Sequence, residues 1–295
     1  MAKLRDIPIT KADINEYLRD FSDFGFEIRV LRQLTTLGFS CEHSGTYEDP
    51  VTAKTRQFDI RARKCLIDES DIALNLSLSV ECKNLKGHFP LVMHCMPRDE
   101  SERYLDLIWA SKPEHYIPPY ENAMRVPMFK EASPYQALDP VGKSCDQVGR
   151  RASQDADLIV NDSDAFDKMS QAINSAHDLI EEAHYAAKKG LDVVSIVVPV
   201  LVVPNNRIWS VWYNQTGEVA REPEIDGNIE YYIDKSWLVG DAGREYSRRY
   251  YMSHMEIVQI DTIEGMISKY TGIQVATSSR SLRSKKLEHL EPRNP

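Results

Sequence analysis

Acidic and basic side chains fall on the polar faces of two neighbouring segments in which apolar and polar residues alternate. Residues 56–64 and residues 73–83 both alternate, which predicts two half-buried strands joined as a β-hairpin. Asp59 lies on the polar face of the first strand, and Glu81 and Lys83 share the polar face of the second. The pleat therefore allows Asp59 to lie beside Glu81.

This arrangement has a definite chemistry. Two carboxylates that lie close together repel each other unless a cation lies between them. Mg²⁺ suits such a pair, because it prefers oxygen ligands and takes the rest of its shell from water and phosphate. A bound Mg²⁺ polarises a phosphoryl oxygen and lowers the pKa of a bound water. Lys83 would stabilise charge at phosphorus or orient the attacking water, and the backbone carbonyl of Cys82 would be a further ligand.

Simpler interpretations of the same side chains stay open. Glu81 and Lys83 can be a surface ion pair, which contributes about 0–1 kcal/mol. Lys54 and Arg56 can steer a phosphate backbone, although two basic residues in a hairpin are often only solvated. Glu27 can be an ordinary acid on a helix surface.

Two predicted helices precede the hairpin. Residues 10–20 form the first, with Thr10 as its cap and Asp13 at the capping-box position. The second helix covers residues 22–37, because apolar residues recur there at helical spacing and a glycine follows. It carries Glu27 in its first half.

Further elements are expected around and after the hairpin. Seven prolines make residues 85–135 the least regular part, which predicts an insertion over the sheet. The other expected elements are a strand at 39–46, turns at 47–52 and 65–71, a short helix at 141–152, a long helix at 163–189, strands at 192–203, 207–213, 230–237 and 253–260, a helix at 261–270 and a polar tail at 274–295.

The motif residues resemble those of a known superfamily. Asp59 and the tripeptide Glu81-Cys82-Lys83, on adjacent strands after a helix bearing Glu27, are similar to the PD-(D/E)xK nuclease superfamily, which has the restriction-endonuclease-like fold. The resemblance covers residues 22–84, and the later helix and buried strand fit the rest of the common core. One position departs from the pattern, because a phenylalanine stands before the first acid where the family has proline.

The resemblance implies a fold and a set of roles. The expected fold is α/β, with a mixed central sheet flanked by helices, an insertion at about 85–160 and extra C-terminal β-structure, all within one domain of residues 1–273. Asp59 and Glu81, with Cys82, are the implied ligands of Mg²⁺, for which Mn²⁺ substitutes. Lys83 is the implied catalytic lysine, and Glu27 holds the metal or its water. The substrate-binding candidates are Lys54 and Arg56.

The implied function is a metal-dependent endonuclease. DNA is favoured over RNA as the substrate, in a bacterial or phage defence setting. Whether the chain acts alone, as a homodimer or with a partner subunit stays open. A function from another class stays open: a catalytically silent, nuclease-like module that binds nucleic acid or protein within a larger complex.

Composition limits the remaining choices. The chain has 295 residues and a formal charge of −9, which argues against a protein that coats nucleic acid through bulk charge. It has five cysteines and no CxxC pair, so neither a disulfide framework nor zinc is expected, and a reducing, cytoplasmic setting follows. The N-terminus lacks a signal-peptide core. The longest apolar run, residues 193–203, is too short to span a bilayer, so no membrane partner is expected.

Overall fold

The computed structural model describes residues 6–69, 72–110, 123–127, 133–151, 157–161, 163–186, 192–240 and 248–271. Its helices are α1 (Lys11–Asp20), α2 (Phe24–Thr36), α3 (Ser163–His184) and α4 (Ile263–Thr271). Its strands are β1 (Ser40–His43), β2 (Thr46–Glu48), β3 (Thr55–Gln57), β4 (Ile60–Glu69), β5 (Ile72–Cys82), β6 (Leu91–Pro97), β7 (Asp106–Ala110), β8 (Ala123–Pro127), β9 (Pro140–Arg150), β10 (Leu158–Val160), β11 (Asp192–Val203), β12 (Ile208–Trp212), β13 (Glu224–Ile225), β14 (Asn228–Val239) and β15 (Arg248–Gln259).

The predicted hairpin is confirmed for residues 60–64 and 73–82, but its first strand begins later than predicted, because Thr55–Gln57 forms β3 in a separate two-stranded sheet with β2. β4 and β5 pair antiparallel, with Ile60 opposite Val80 and Ala62 opposite Leu78. These four apolar side chains are buried, as expected when one face of each strand packs into a core. The hairpin is longer than predicted, since β4 continues to Glu69 through a register shift and replaces the turn expected at 65–71.

A large mixed sheet grows outward from this hairpin. Its strand order is β1-β4-β5-β11-β15-β14-β9-β6-β12-β13. β11 runs parallel to β5 in one continuous register, from Asp192 opposite Ile72 to Val202 opposite Cys82. β15 then pairs parallel with the end of β11 and antiparallel with β14. The expected α/β class and mixed sheet are therefore confirmed.

Helices cover both faces of the central strands. On one face, α2 buries Phe26, Val30 and Leu34 against the apolar side of the hairpin, and α4 packs into the same core. On the other face, α3 buries small and apolar residues against β11 and its neighbours. Within the described ranges, no helix is long and apolar enough to cross a membrane.

The helix starts agree with the sequence. Thr10 caps α1, since its hydroxyl oxygen accepts from the backbone N–H of Asp13 (3.3 Å) and its own N–H donates to the Asp13 carboxylate (2.7 Å). This is the predicted capping box. Helix α2 begins at Phe24, α3 at Ser163 and α4 at Ile263. The predicted tail at 274–295 lies outside the described residues.

Two expectations for the middle of the chain need correction. The helix predicted at 141–152 is wrong, because β9 (Pro140–Arg150) covers nearly all of its described residues as a strand between β6 and β14. The segment read as an insertion over the sheet contributes strands to the sheet itself, since β6 and β9 pair with each other and β7 pairs with β11.

Candidate active site

The two predicted metal ligands lie side by side on the hairpin face that packs against α3. Asp59 directly precedes β4, and Glu81 is the next-to-last residue of β5. The backbone N–H of Asp59 donates to Oε1 of Glu81 (3.3 Å), and the N–H of Cys82 donates to Oδ2 of Asp59 (2.8 Å). The two acids therefore lie close together, as the sequence predicts, and each carboxylate accepts a hydrogen bond from the backbone of the opposite strand segment.

A lysine that the sequence analysis overlooked joins the two carboxylates. Lys168 of α3 donates from Nζ to Oδ2 of Asp59 (2.7 Å) and to Oε2 of Glu81 (2.8 Å). The Lys168 side chain is 18% exposed, and that of Glu81 is 1% exposed. The centre is therefore a largely buried triad of two carboxylates and one ammonium group.

The electrostatics of the triad follow from burial and proximity. Burial, reinforced by the charge of Asp59, raises the pKa of Glu81 to about 8, although the ammonium of Lys168 opposes this change. Burial alone would lower the pKa of Lys168. The charges of Glu81 and Asp59 outweigh that effect and raise its pKa. Glu81 thus exchanges a proton near neutral pH while Lys168 stays charged.

We expect this shift to appear as pH-dependent stability. In the folded protein Glu81 keeps its proton up to about pH 8, whereas in the unfolded chain it loses the proton near 4.5. Unfolding therefore releases a proton in this window, and stability falls as pH rises. Between pH 7 and 9 the contribution of Glu81 should fall by about 1 kcal/mol.

The measurement is urea unfolding of the wild-type protein and Glu81→Gln at pH 7 and pH 9. Subtracting the variant removes the titration of the cysteines and tyrosines, which both proteins share. An equal pH dependence in the two proteins would contradict the assignment.

Glu27 lies near the triad but makes no direct bond to it. It is in the first turn of α2, and its Oε2 is 3.2 Å from Nε2 of His43. Burial and the charge of Asp59 raise the pKa of Glu27, while His43 and Lys168 lower it. The site therefore brings a third carboxylate within electrostatic range.

The described residues contain one group whose three possible metal-ligand atoms all lie within 4.8 Å of one another. It consists of His177, Asp178 and Glu181 on α3, and it includes none of the predicted ligands. Arg61 donates to the Asp178 carboxylate (2.8 Å), so a guanidinium already compensates that charge. This group is better explained as part of an ion-pair network than as a metal site.

The two other residues of the tripeptide point in different directions. The thiol of Cys82 is buried in the core, as predicted, and burial raises its pKa well above the usual value. Lys83 makes no ion pair with Asp59 or Glu81. Its Nζ lies 3.4 Å from Asp23 and 3.9 Å from Asp164, at the starts of α2 and α3.

The predicted substrate-binding residues lie on a separate two-stranded hairpin formed by β2 and β3. Lys54 is exposed between the two strands. Arg56 is partly exposed, and its Nε lies 2.9 Å from Oδ2 of the buried Asp49. Asn174 of α3 donates to the same oxygen (3.2 Å). Arg56 therefore anchors this hairpin near α3, and Lys54 remains the solvent-facing cation.

The position of Lys168 carried a signal in the sequence. Ala165 and Ala172 are buried on the inner face of α3, and Lys168 is three residues after the first and four before the second. Helical spacing therefore places it on that same face. A lysine on the buried side of a helix needs a buried counter-charge, which the two acids of the hairpin supply.

No protein-family model, no curated protein and no solved structure matches this chain.

Proposed function

We propose that this protein is a Mg²⁺-dependent nuclease with a restriction-endonuclease-like core, and that it hydrolyses phosphodiester bonds in DNA. The observation that carries the proposal is that the carboxylates of Asp59 and Glu81, at one end of the hairpin, both bind the ammonium group of Lys168. Two buried carboxylates that close repel each other unless a cation lies between them or one of them takes up a proton. A second supporting observation is the nearby Glu27, whose pKa is raised.

The residues fit a hard divalent cation. All candidate metal-ligand atoms at the site are oxygens. Mg²⁺ is usually held by one or two carboxylates, with water and phosphate completing its shell. Asp59 and Glu81 would hold the ion, with the backbone carbonyl of Cys82 as the third candidate. The bound ion would supply Lewis acidity at the phosphoryl oxygen and a more acidic water.

The chain's own groups would supply the remaining chemistry. Lys168 holds a fixed positive charge beside the two carboxylates, where it can stabilise negative charge that develops on the phosphoryl oxygens. Glu27 can accept a proton from the attacking water, since a raised pKa brings a carboxylate closer to the operating pH of a general base. His43 orients that carboxylate through its 3.2 Å contact. In the motif, Lys83 is the lysine expected beside the two acids. We therefore propose that Lys168 takes this role here.

The test uses the purified full chain with four substrates: supercoiled plasmid, linear duplex DNA, single-stranded DNA and single-stranded RNA. Each is incubated with Mg²⁺, with Mn²⁺ or with EDTA. We expect cleavage of DNA with either metal and none with EDTA, and cleavage of the closed plasmid identifies an endonuclease. The matched protein is Asp59→Asn, which keeps the shape of the side chain and loses its charge. Absence of metal-dependent cleavage on every substrate would overturn the enzymatic proposal.

The contacts of Lys168 also favour a second candidate, a nuclease-like binding module without catalysis. An ammonium bonded to both acids compensates their charge without any metal. Isothermal titration calorimetry separates the two candidates. Mg²⁺ binding that is lost in Asp59→Asn supports the nuclease. Nucleic-acid binding that is unchanged by EDTA and by Asp59→Asn, without cleavage, supports the module.

A further inference from the structure

A cavity of about 300 Å³ lies beside the triad, on the side of Lys83. It is bounded by the segment before α2, the loop that follows β5, the start of α3 and one residue of β9. None of the three triad residues lines the cavity, but Lys83 is two residues beyond Glu81 and Asp164 is one helical turn before Lys168, which places the cavity next to the proposed catalytic centre. Its volume is at the lower end of the range for small-ligand sites.

One buried amide lining this cavity has an unused acceptor. Gln147 of β9 is 4% exposed. Its Nε2 donates to the backbone carbonyl of Phe89 (3.0 Å), which fixes the orientation of the amide. Its Oε1 is buried and has no hydrogen-bond partner among the described residues. Buried polar atoms normally have a partner, so this oxygen indicates a ligand that brings an N–H or O–H donor.

The cavity is lined by two lysines, Lys83 and Lys86, and by two carboxylates, Asp23 and Asp164. The contacts of Lys83 to Asp23 and Asp164, at 3.4 and 3.9 Å, are long for ion pairs. The N-terminal ends of α2 and α3 also border the cavity, and the dipoles of helices of 13 and 22 residues favour negative charge there. A phosphate that binds Lys83 would therefore replace its long contacts to the two carboxylates and would be favoured by both helix dipoles.

Aromatic rings supply the third feature. Phe89 lies over the backbone of Gly149, so closely that a Cβ at this glycine would lie 2.5 Å from the ring. The ring of Phe89 can therefore pack at this position only because Gly149 has no side chain. Phe21 also lines the cavity and is 71% exposed. Both rings can stack on the flat face of a base.

Resting on the proposed nuclease function, we propose that this cavity binds an unpaired nucleotide of the substrate strand next to the catalytic centre. An N–H group on the pairing edge of the base donates to Oε1 of Gln147: an amino group of adenine, cytosine or guanine, or the ring N3–H of thymine. The base stacks on Phe89 and Phe21, and the phosphate binds Lys83. In a duplex this edge is engaged with the other strand. The substrate class is therefore single-stranded DNA, or the unpaired end or junction of a duplex, with any of the four bases at this position.

The test measures binding in EDTA, so that it does not depend on catalysis. Fluorescently labelled dA8, dC8, dT8 and a blunt duplex are titrated with the full chain by anisotropy. We expect dA8, dC8 and dT8 each to bind about tenfold more tightly than the duplex, because an unpaired base can both donate to the amide and stack. In Gln147→Met, which keeps the length of the side chain and removes the acceptor, binding of all three single strands should weaken about tenfold while binding of the duplex is unchanged. Phe89→Ala should weaken binding of all single strands about tenfold.

The matched control is Gln33→Met. Gln33 also donates from Nε2 to a backbone carbonyl (2.8 Å to Ile260), but it lies on α2 away from the cavity, so the preference should survive. Equal binding of the single strands and the duplex by the wild-type protein, or an unchanged preference for single strands in Gln147→Met, would overturn the proposal. The two proposals fail separately. A preference for single strands without cleavage leaves the cavity and removes the nuclease, whereas cleavage without this preference does the reverse.

Discussion

Glu81→Gln is expected to lower Mg²⁺-dependent cleavage about a thousand-fold, the largest change expected for a single site. The substitution keeps the size of the side chain and removes the charge that would hold the metal. Loss of several kcal/mol of transition-state stabilisation corresponds to a rate change of this size. Initial rates on supercoiled plasmid at saturating Mg²⁺ measure it.

The chain offers a matched control for this substitution. Glu256 of β15 is also completely buried, and burial likewise raises its pKa. It accepts a hydrogen bond from the hydroxyl of Tyr270 (2.7 Å), in a different part of the core. Glu256→Gln should therefore keep cleavage within about twofold once both variants are shown to be folded by circular dichroism. Equal losses in the two variants would indicate a general effect of removing a buried acid and would contradict the assigned site.

Lys168→Met is expected to cause the largest loss of stability, about 3 kcal/mol at pH 9. Removing one partner of a buried ion pair leaves the other charge uncompensated. Here two carboxylates lose their shared ammonium. The loss should shrink toward pH 6, because Glu81, whose pKa is about 8, already holds a proton there, so removal of the ammonium leaves less negative charge uncompensated. The difference between variant and wild type therefore grows as pH rises.

Lys83→Met is the control, since Lys83 is also a partly buried lysine near two acids. Its contacts are longer and its acidic partner Asp164 is well exposed, so its replacement should cost about 1 kcal/mol or less at either pH. Urea unfolding of the three proteins at pH 6 and pH 9 gives both comparisons. A loss for Lys83→Met equal to that for Lys168→Met would show that the triad is not the dominant buried charge cluster.

The part of the candidate site that lies on one hairpin could be predicted from the sequence. Alternation over residues 56–64 and 73–83 fixes which side chains share a face, and a short connection makes antiparallel pairing the simplest arrangement. Asp59 and Glu81 follow directly from this reasoning. The same alternation predicted that Lys83 lies beside the two acids. Lys83 instead lies just beyond the end of β5, and its side chain points toward the starts of α2 and α3.

Lys168 could not be placed in the same way, because it is separated from Glu81 by 87 residues and from Asp59 by 109. Which helix covers the polar face of the hairpin is decided by tertiary packing, and spacing along the chain does not reveal it. Helical spacing in the sequence predicts that Lys168 lies on the buried face of α3. It does not predict which residues Lys168 contacts there.

The wrong helix at 141–152 has a local physical cause. β9 pairs with β6 through a register shift, in which Ser144 lies opposite His94 and Gly142 opposite Cys95. The shift breaks the two-residue alternation, so Val141 and Gly142 are both buried. A bulged strand thus loses the period that marks a strand in the sequence.

The continuous parallel register of β5 and β11 limits which mutations this site can tolerate during evolution. Insertion or deletion of one residue within β5 before Glu81 would shift the strand by one position against Leu201 and Val202. Such a shift reverses which face each side chain occupies, so the carboxylate of Glu81 would enter the apolar core. Val80 after an insertion, or Cys82 after a deletion, would take its place at the site. Homologous chains should therefore accumulate substitutions within β5 and carry their insertions and deletions outside it.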